Sequence, residues 1–568
     1  MKNKTNMQKL FFKKNPATYT WILFFWSVTM CIFEYFAIKY SILPTYTNRH
    51  FFFVFLLILN QLFVAIFFFC GISNLVIAAK YQFIKKKEQQ QELAILKQPL
   101  PKRWHPRVQL LYTTYNDFIP YAFAQCLNQT YDNVQGVILD NSTDEKYIKM
   151  IQQFVKVHPQ VKWVRNAPNK HAKAGNLNSY LCKQPKESYD YFVILDSDEL
   201  LENKFVEKCL KFFYHNHHLG ILQCNHISGQ NYNSFMNLFS NSGNIFWPVQ
   251  NVIRSVESGT LAPNKNDQQP HIIERGSTVC IELGHGVMIS RECFEDIGQI
   301  PHAVAEDLCT SVEALLKGWN IRFASQIYGN EEFPVDMSAL MVRSSKFCSA
   351  NFEFFRNYFK TLKKTKLLTF YQKLDLLSFT LSVPMNAFQY ISLLLSSIIF
   401  PLSNIKLGYQ LLMLFPVLVC YFSQGIIDGF FELQRGMKFH KMLLYEIQIA
   451  FLYGSFYYLT VKSTFFALLK RPAKFNVTPK KTKHITLTDA FKKNWQGIVF
   501  SLLTIVFSII CSGCSWILLS FLPGCLGFIF ELKANQQGKQ DQQKLKRFEK
   551  YNYYALYEPK HEPLKWNE

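Results

Sequence analysis

The feature that most limits how this chain can fold is the gathering of its apolar residues into long blocks. Residues 18–37 and 51–79 each hold enough apolar side chains to cross a hydrocarbon layer as a helix, for which about 20 residues suffice. Further blocks lie within 376–427 and 497–532, while the middle third reads as ordinary globular sequence. Hydrophobic residues make up 49% of the 568 positions, and 54 are phenylalanine. The expectation is an integral membrane protein with a globular α/β unit set between two membrane parts.

The net charge of +22 does not point to nucleic acid, because the basic residues cluster beside the apolar blocks rather than on one globular face. Lys2, Lys4, Lys9, Lys13 and Lys14 precede the first block, and Lys80, Lys85, Lys86 and Lys87 follow the second. The positive-inside rule then puts both flanks in the cytoplasm, with a short outer loop near 41–50. The expected organisation is a basic tail (1–15), a two-span hairpin (16–80), a cytosolic domain (100–345), an interfacial segment (346–373), a membrane part of about four spans (374–532) and a cytosolic tail (533–568). The setting is the cell membrane, with multiple spans. Fourteen scattered cysteines form no disulfide framework, and a cytosolic domain would keep them reduced. Cys511 and Cys514 have the spacing of a metal pair but sit in an apolar block without a second pair, so packing is expected. No small-residue cleavage site follows the first block.

From Arg107 the pattern changes to strands alternating with helices, which argues for a mainly parallel sheet. Strands are expected at 108–112, 134–139, 161–164 and 192–195. Polar residues close each in turn: Thr114, Asn116 and Asp117; Asp140 with Asp144; the helix opening that holds Lys173; and Asp196-Ser197-Asp198. Loops at the carboxyl edge of a parallel sheet are where open α/β sheets bind ligands. Two carboxylates one residue apart suit a divalent cation that carries substrate phosphates. Asp140 has acceptors for a base or ribose, and Lys173 has the reach and charge for a diphosphate.

These motifs together resemble the nucleotide-sugar half of family-two inverting glycosyltransferases, and within them the membrane-embedded polysaccharide synthases related to cellulose synthase. The resemblance runs from about Arg107 to the last apolar block. It implies a GT-A (Rossmann-like) fold, a UDP-sugar donor, and Mg²⁺ or Mn²⁺ at Asp196 and Asp198. Ala305-Glu306-Asp307 resembles the family's Thr-Glu-Asp motif, which implies that Asp307 is the general base toward an acceptor hydroxyl. A positioned carboxylate of this kind contributes roughly 10²–10⁴-fold. Phe475, Val477, Thr478 and Lys480 resemble the family's Phe-x-Val-Thr-x-Lys gating loop, placed here at 471–486 after an interfacial helix at 442–469. The loop's expected role is to cover the bound UDP-sugar.

Two motifs depart from the family. The segment before the acceptor reads Ile281-Glu282-Leu283-Gly284-His285-Gly286 in place of Phe-Phe-Cys-Gly-Ser. The acceptor helix reads Arg343-Ser-Ser-Lys346-Phe347 in place of Gln-x-x-Arg-Trp. Gly284, His285, Glu306, Arg343, Lys346 and Phe347 are therefore the expected acceptor and diphosphate residues. Lysine does not reproduce arginine's planar fork, so acceptor and linkage stay open. The expected activity is polymerisation of sugar from a UDP-sugar, with UDP-glucose and a β-glucan as the default by analogy, and export of the product through the spans. Transfer of sugar to a membrane lipid is the alternative, and an inactive scaffold or transporter is the second.

Overall fold

The structure is a computed structural model that describes residues 17–548 except 167–170, 230–232, 264–269, 383, 406, 408–413, 470–477, 480–483 and 513–516. Its centre is an eight-stranded mixed sheet in the order β3-β2-β1-β4-β9-β6-β10-β5. The first half is parallel: β1 (Val108–Thr114) lies between β2 (Val134–Asp140) and β4 (Tyr191–Leu195), with β3 (Lys162–Arg165) outside β2. β9 (Val287–Ser290) then runs antiparallel to both β4 and β6 (Leu219–Ser228). β10 (Asn320–Glu331) pairs in parallel with β6, and short β5 (Leu200–Leu201) closes the edge. A separate ribbon joins β7 (Thr260–Ala262) to β8 (His271–Glu274).

The four strands expected from the sequence are present, because strands covered on both faces are continuous apolar runs. Leu110, Leu111 and Tyr112 of β1 and Phe192, Val193 and Leu195 of β4 are wholly buried. The expected α/β class with apolar helices before and after it is what the chain adopts.

Three helices among the described residues are long and apolar enough to cross a membrane: Thr18–Thr47, Phe51–Leu96 and Leu487–Ser512. The first two pack side by side, joined by the Trp26 indole donating to the Ala65 carbonyl at 2.8 Å and by Phe33 against Phe68. The second helix does not stop at 79 but runs unbroken to Leu96. There Glu92 accepts from the backbone N–H groups of Ser325 and Gln326 on β10.

The count of six spans is not reproduced among the described residues. The block at 376–401 is divided into Phe370–Leu381 and Met385–Leu394 with Pro384 between them, since proline cannot continue the ladder of the preceding turn. The block at 407–427 lies partly outside the described residues, and its described part is split between Leu414–Tyr421 and Ser423–Gln434. The interfacial stretch is two helices, Phe439–Gly454 and Tyr457–Leu468. Cys514 lies outside the described residues.

The helices and the sheet are joined by buried polar contacts. The Tyr19 hydroxyl donates to Asp375 Oδ1 at 2.7 Å, Arg254 donates to the same oxygen at 3.2 Å, and Val279 N–H donates to Asp375 Oδ2 at 2.9 Å. Beside this group, Glu257 accepts from Thr18 N–H and its hydroxyl and from Lys80 and Ser277.

Candidate active site

Asp196-Ser197-Asp198 leaves the end of β4 between β1 and β9, and three loops hold it. The Ser197 hydroxyl donates to Asp117 Oδ2 at 2.7 Å, and the Ser197 carbonyl accepts from the Tyr112 hydroxyl at 2.6 Å. Asp117 Oδ1 also accepts from the Thr114 hydroxyl and from Tyr115 N–H. Asn116 adopts a left-handed φ of 58°, which asparagine tolerates better than most residues. From there its Oδ1 accepts from Thr143 and Asp144 N–H, both at 2.9 Å. Asp140 is fully buried, with Ser142 N–H on Oδ1 and the Trp163 indole N–H on Oδ2. Thr114, Asn116, Asp117 and Asp140 thus knit the loops after β1 and β2 into a shelf beside Asp196.

A cavity of about 460 Å³ opens from this edge. Lys173, Asp196, Asp198, Gly284, His285, Glu306, Asp307, Arg343, Lys346, Phe347 and Thr478 line it, and the four shelf residues do not. Phe475, Val477 and Lys480 lie outside the described residues. The cavity continues between the apolar helices, where Tyr19, Ser73, Asn74 and Ile77 face Trp247 and Gln250. That inner arm was not legible from the sequence, since its walls come from segments more than 150 positions apart.

Cations and carboxylates alternate around the cavity. Lys173 bonds Asp196 Oδ1 and donates to the Gly284 carbonyl at 2.8 Å. Burial works against its charge, but Asp196 and Glu306 hold the lysine above its ordinary range. Arg343, Lys346 and Phe347 share one face of the helix Met337–Lys364, spaced as neighbours on successive turns. The Arg343 guanidinium lies 5.7 Å from the Phe347 ring centre.

Glu306 and Asp307 open the helix Glu306–Leu316, where negative charge suits the helix amino end. Ala305, in place of threonine, gives that helix no side-chain cap. Asp307 Oδ1 accepts from Leu308 N–H at 2.8 Å. Burial raises the Asp307 carboxyl above its ordinary value, against the opposing pull of that N–H, Lys346 and Lys173. Glu306 is pushed up to about 7 by burial and by Asp307.

Beneath Asp198 the structure joins His285, an expected acceptor residue, to Glu199, His226 and Glu331, which no local sequence signal marks. His285 Nδ1 meets Glu199 Oε2 at 2.5 Å and its Nε2 meets Glu331 Oε2 at 3.1 Å, while His226 stacks on it at 4.1 Å. Gly286, at φ 54°, leaves no room there for a Cβ against His226 and Glu199. Burial alone would lower the His285 imidazole, yet Glu199 and Asp196 drive it well above the ordinary histidine range. Burial opposes the charge of Glu331 as well, and His285 holds it at about 2. His226 is depressed to about 3 by burial and by His285. Glu199, His226 and His285 each bring a ligand atom within 4.8 Å of the others. Both His285 nitrogens face carboxylates, so the group reads as a buried imidazolium between two acids.

Asp196 and Asp198 fit a hard divalent cation by donor type, since both present carboxylate oxygens at the cavity edge. Asp198 Oδ2 accepts from Glu332 N–H at 3.1 Å, which orients it, and Asp196 shares its charge with Lys173.

Residues 191–424 match the model of the glycosyl transferase family group 2. Over 114 residues the chain is 29% identical to an uncharacterized glycosyltransferase of Haemophilus influenzae, covering 20% of this chain and 44% of that protein. It is 27% identical over 181 residues to a chondroitin synthase of Escherichia coli, covering 32% and 24%. It is 23% identical over 294 residues to glucans biosynthesis glucosyltransferase H of Shewanella oneidensis, covering 46% and 38%. The chain therefore spans less than half the length of each of these relatives. Among solved structures, the mannosyltransferase PcManGT of Pyrobaculum calidifontis, in complex with GDP-Man and Mn²⁺, is 15% identical with a TM-score of 0.39, covering 64% of this chain and 97% of that one.

Proposed function

We propose, from the match of residues 191–424 to the model of glycosyl transferase family group 2, that this chain is a membrane-embedded inverting glycosyltransferase that extends a glycan from a UDP-sugar. The observation that carries this reading is the convergence of Lys173, Asp196, Asp198 and Asp307 on one cavity whose inner arm is walled by apolar helices. UDP-glucose is the proposed donor and a β-glucan the proposed product, by analogy with the glucosyltransferase relatives.

In this reading the nucleotide lies on the shelf shaped by Thr114, Asn116, Asp117 and Asp140, the last two acting by fixing the loops. Mg²⁺ or Mn²⁺ between Asp196 and Asp198 would supply positive charge against the leaving diphosphate. Lys173, Arg343 and Lys346 add fixed cations on the same side. Such charges favour the transition state because they need no rearrangement as negative charge develops on the leaving group. Asp307 takes the proton of an acceptor hydroxyl as its oxygen bonds the anomeric carbon and the bond to the diphosphate breaks. Phe347 offers the acceptor sugar an aromatic face. Thr478 in the cavity wall supports a cover formed by the loop at 471–486, which would exclude water from the activated sugar.

Purified protein in nanodiscs, given a panel of UDP-sugars with Mn²⁺, should release UDP and build a long polymer. Asp307→Asn should abolish both. Short organic-soluble glycolipid would instead establish a lipid acceptor, and no turnover of any UDP-sugar would overturn the reading.

A further inference from the structure

Residues 196–199 carry the chain across the sheet outside every strand. In the sheet order β4 and β5 are separated by β9, β6 and β10, so the chain that leaves Leu195 must reach the far edge by Leu200. Asp196 and Asp198 ride on this crossing, and a site built on them is only as well defined as the crossing is firmly held. On one side Asp117 and Tyr112 hold Ser197, and the Cys126 thiol donates to the Glu199 carbonyl at 3.1 Å.

From the start of β9, the pair Gly284-His285 reaches both aspartates. The Gly284 carbonyl accepts from Lys173, which bonds Asp196. His285 reaches Asp198 by two routes. Its Nδ1 meets Glu199, the next residue along the chain, and its Nε2 meets Glu331. Glu331 is followed by Glu332, whose N–H donates to Asp198 Oδ2 at 3.1 Å. Asp198, Glu199, His285, Glu331 and Glu332 thus form a closed ring of bonds, with the imidazole as its bridge. The bridge is itself held: His226 stacks on it with the ring planes 8° apart, and Gln223 donates to the His285 carbonyl at 3.1 Å. Joining two carboxylates on opposite sides needs donors that point apart, which a doubly protonated imidazole supplies from one rigid ring.

We propose that His285 is a positioning residue for the cation site: by bridging Glu199 and Glu331 it sets where Asp198 presents its carboxylate. Both ring nitrogens are engaged by carboxylates, so neither ligates the cation nor meets a phosphate. This differs from the direct acceptor contact expected of His285. The inference rests on the reading of Asp196 and Asp198 as the cation's holders. Groups that orient a metal's ligands commonly account for roughly 10–100-fold of its affinity.

The test uses the full chain in nanodiscs with UDP, and follows Mn²⁺ binding by electron paramagnetic resonance of the free ion. His285→Gln, which breaks the two-sided bridge, should raise the Kd for Mn²⁺ roughly tenfold. The Kd for UDP measured in EDTA should stay within about twofold of wild type. An unchanged Mn²⁺ Kd in folded His285→Gln overturns the proposal. So does an equal loss of UDP affinity in EDTA, which would mean that the ring meets the nucleotide directly. The double variant His285→Leu with Glu199→Gln removes buried charges along with the bridge, and should bind Mn²⁺ as weakly as His285→Gln. Wild-type Mn²⁺ affinity in that double variant means a merely structural role and overturns the proposal. Where the His285 variants do not fold, Glu331→Leu decides, since it opens the ring at its other post and leaves His285 paired with Glu199. A raised Mn²⁺ Kd in Glu331→Leu supports the proposal, and an unchanged one overturns it. Asp198→Asn separates the two readings. If it leaves Mn²⁺ affinity unmoved, the cation is not held there and the site reading fails. If it weakens Mn²⁺ binding while His285→Gln does not, only the positioning role fails.

Discussion

The Ser197 hydroxyl, between the two aspartates at the end of β4, donates to Asp117 Oδ2 at 2.7 Å, so the proposed cation site is fixed by the loop after β1. Asp117 therefore acts on the site without lining the cavity. Asp117→Ala frees Ser197, Thr114 and Tyr115 N–H together. The expected result is a roughly 10–100-fold loss in kcat/KM with weaker metal activation, from about 1–3 kcal/mol of lost hydrogen bonding. Asp117→Asn, which keeps one acceptor oxygen, should lose less, as measured by UDP release at varied Mn²⁺.

The acid limb of activity should lie above that of a free aspartate, because burial raises the Asp307 carboxyl. The base works only when ionised, so activity is present above that raised value and falls about tenfold per unit as pH drops below it. Lys346 pulls the same carboxyl down. Lys346→Gln should therefore move the acid limb upward, and the pH profile of kcat/KM checks it.

His285 lies between Glu199 and Glu331, both bonded to its ring. Replacing it by alanine leaves buried acids without their cation, a change that typically costs about 3–5 kcal/mol. The expected outcome is a marked fall in thermal stability in detergent. A double variant with Glu199→Gln should recover part of it.

Chelation with EDTA should abolish transfer, and Mg²⁺ or Mn²⁺ should restore it. Asp198→Asn should raise the metal concentration needed for half-maximal activity. Titrating the cation in both proteins checks this.

Arg254 and Asp375 form a buried pair that also holds Tyr19 and Val279. Asp375→Ala leaves Arg254 uncompensated beside the first apolar helix, with an expected loss of about 3–5 kcal/mol. Proteolysis near residue 17 should become faster, because Tyr19 would no longer be held.

The strands and Asp196-Ser197-Asp198 were legible because a strand buried on both faces, such as Phe192–Leu195, is an unbroken apolar run ending in its first polar side chains. The helix start at Glu306 and Asp307 was legible because acids gather at a helix amino end, whereas the role expected of Asp307 came from its likeness to the family's Thr-Glu-Asp motif. The inward use of Asp117, Asn116 and Asp140 was not, since a polar side chain in a loop looks the same whether it meets a ligand or a neighbouring backbone N–H. Glu199, His226 and Glu331 were equally hidden. They come from β6, β10 and the turn after β4, and only the sheet order makes them neighbours. The break at Pro384 was hidden because the total hydrophobicity of its block masks a local interruption of the helix.

The helix Phe51–Leu96 has 46 residues, so at 1.5 Å per residue it is a rod of about 69 Å. A hydrocarbon layer of about 30 Å accounts for less than half of it. The far end is tied through Glu92 to β10, the strand that also bears Glu331. From Ile77 onward the rod belongs to the globular core, where Ile77, Ala78, Tyr81 and Ile95 are buried in the same clusters as the sheet's own side chains. One helix is therefore both an apolar rod and a structural member of the α/β unit, so neither part can shift without the other.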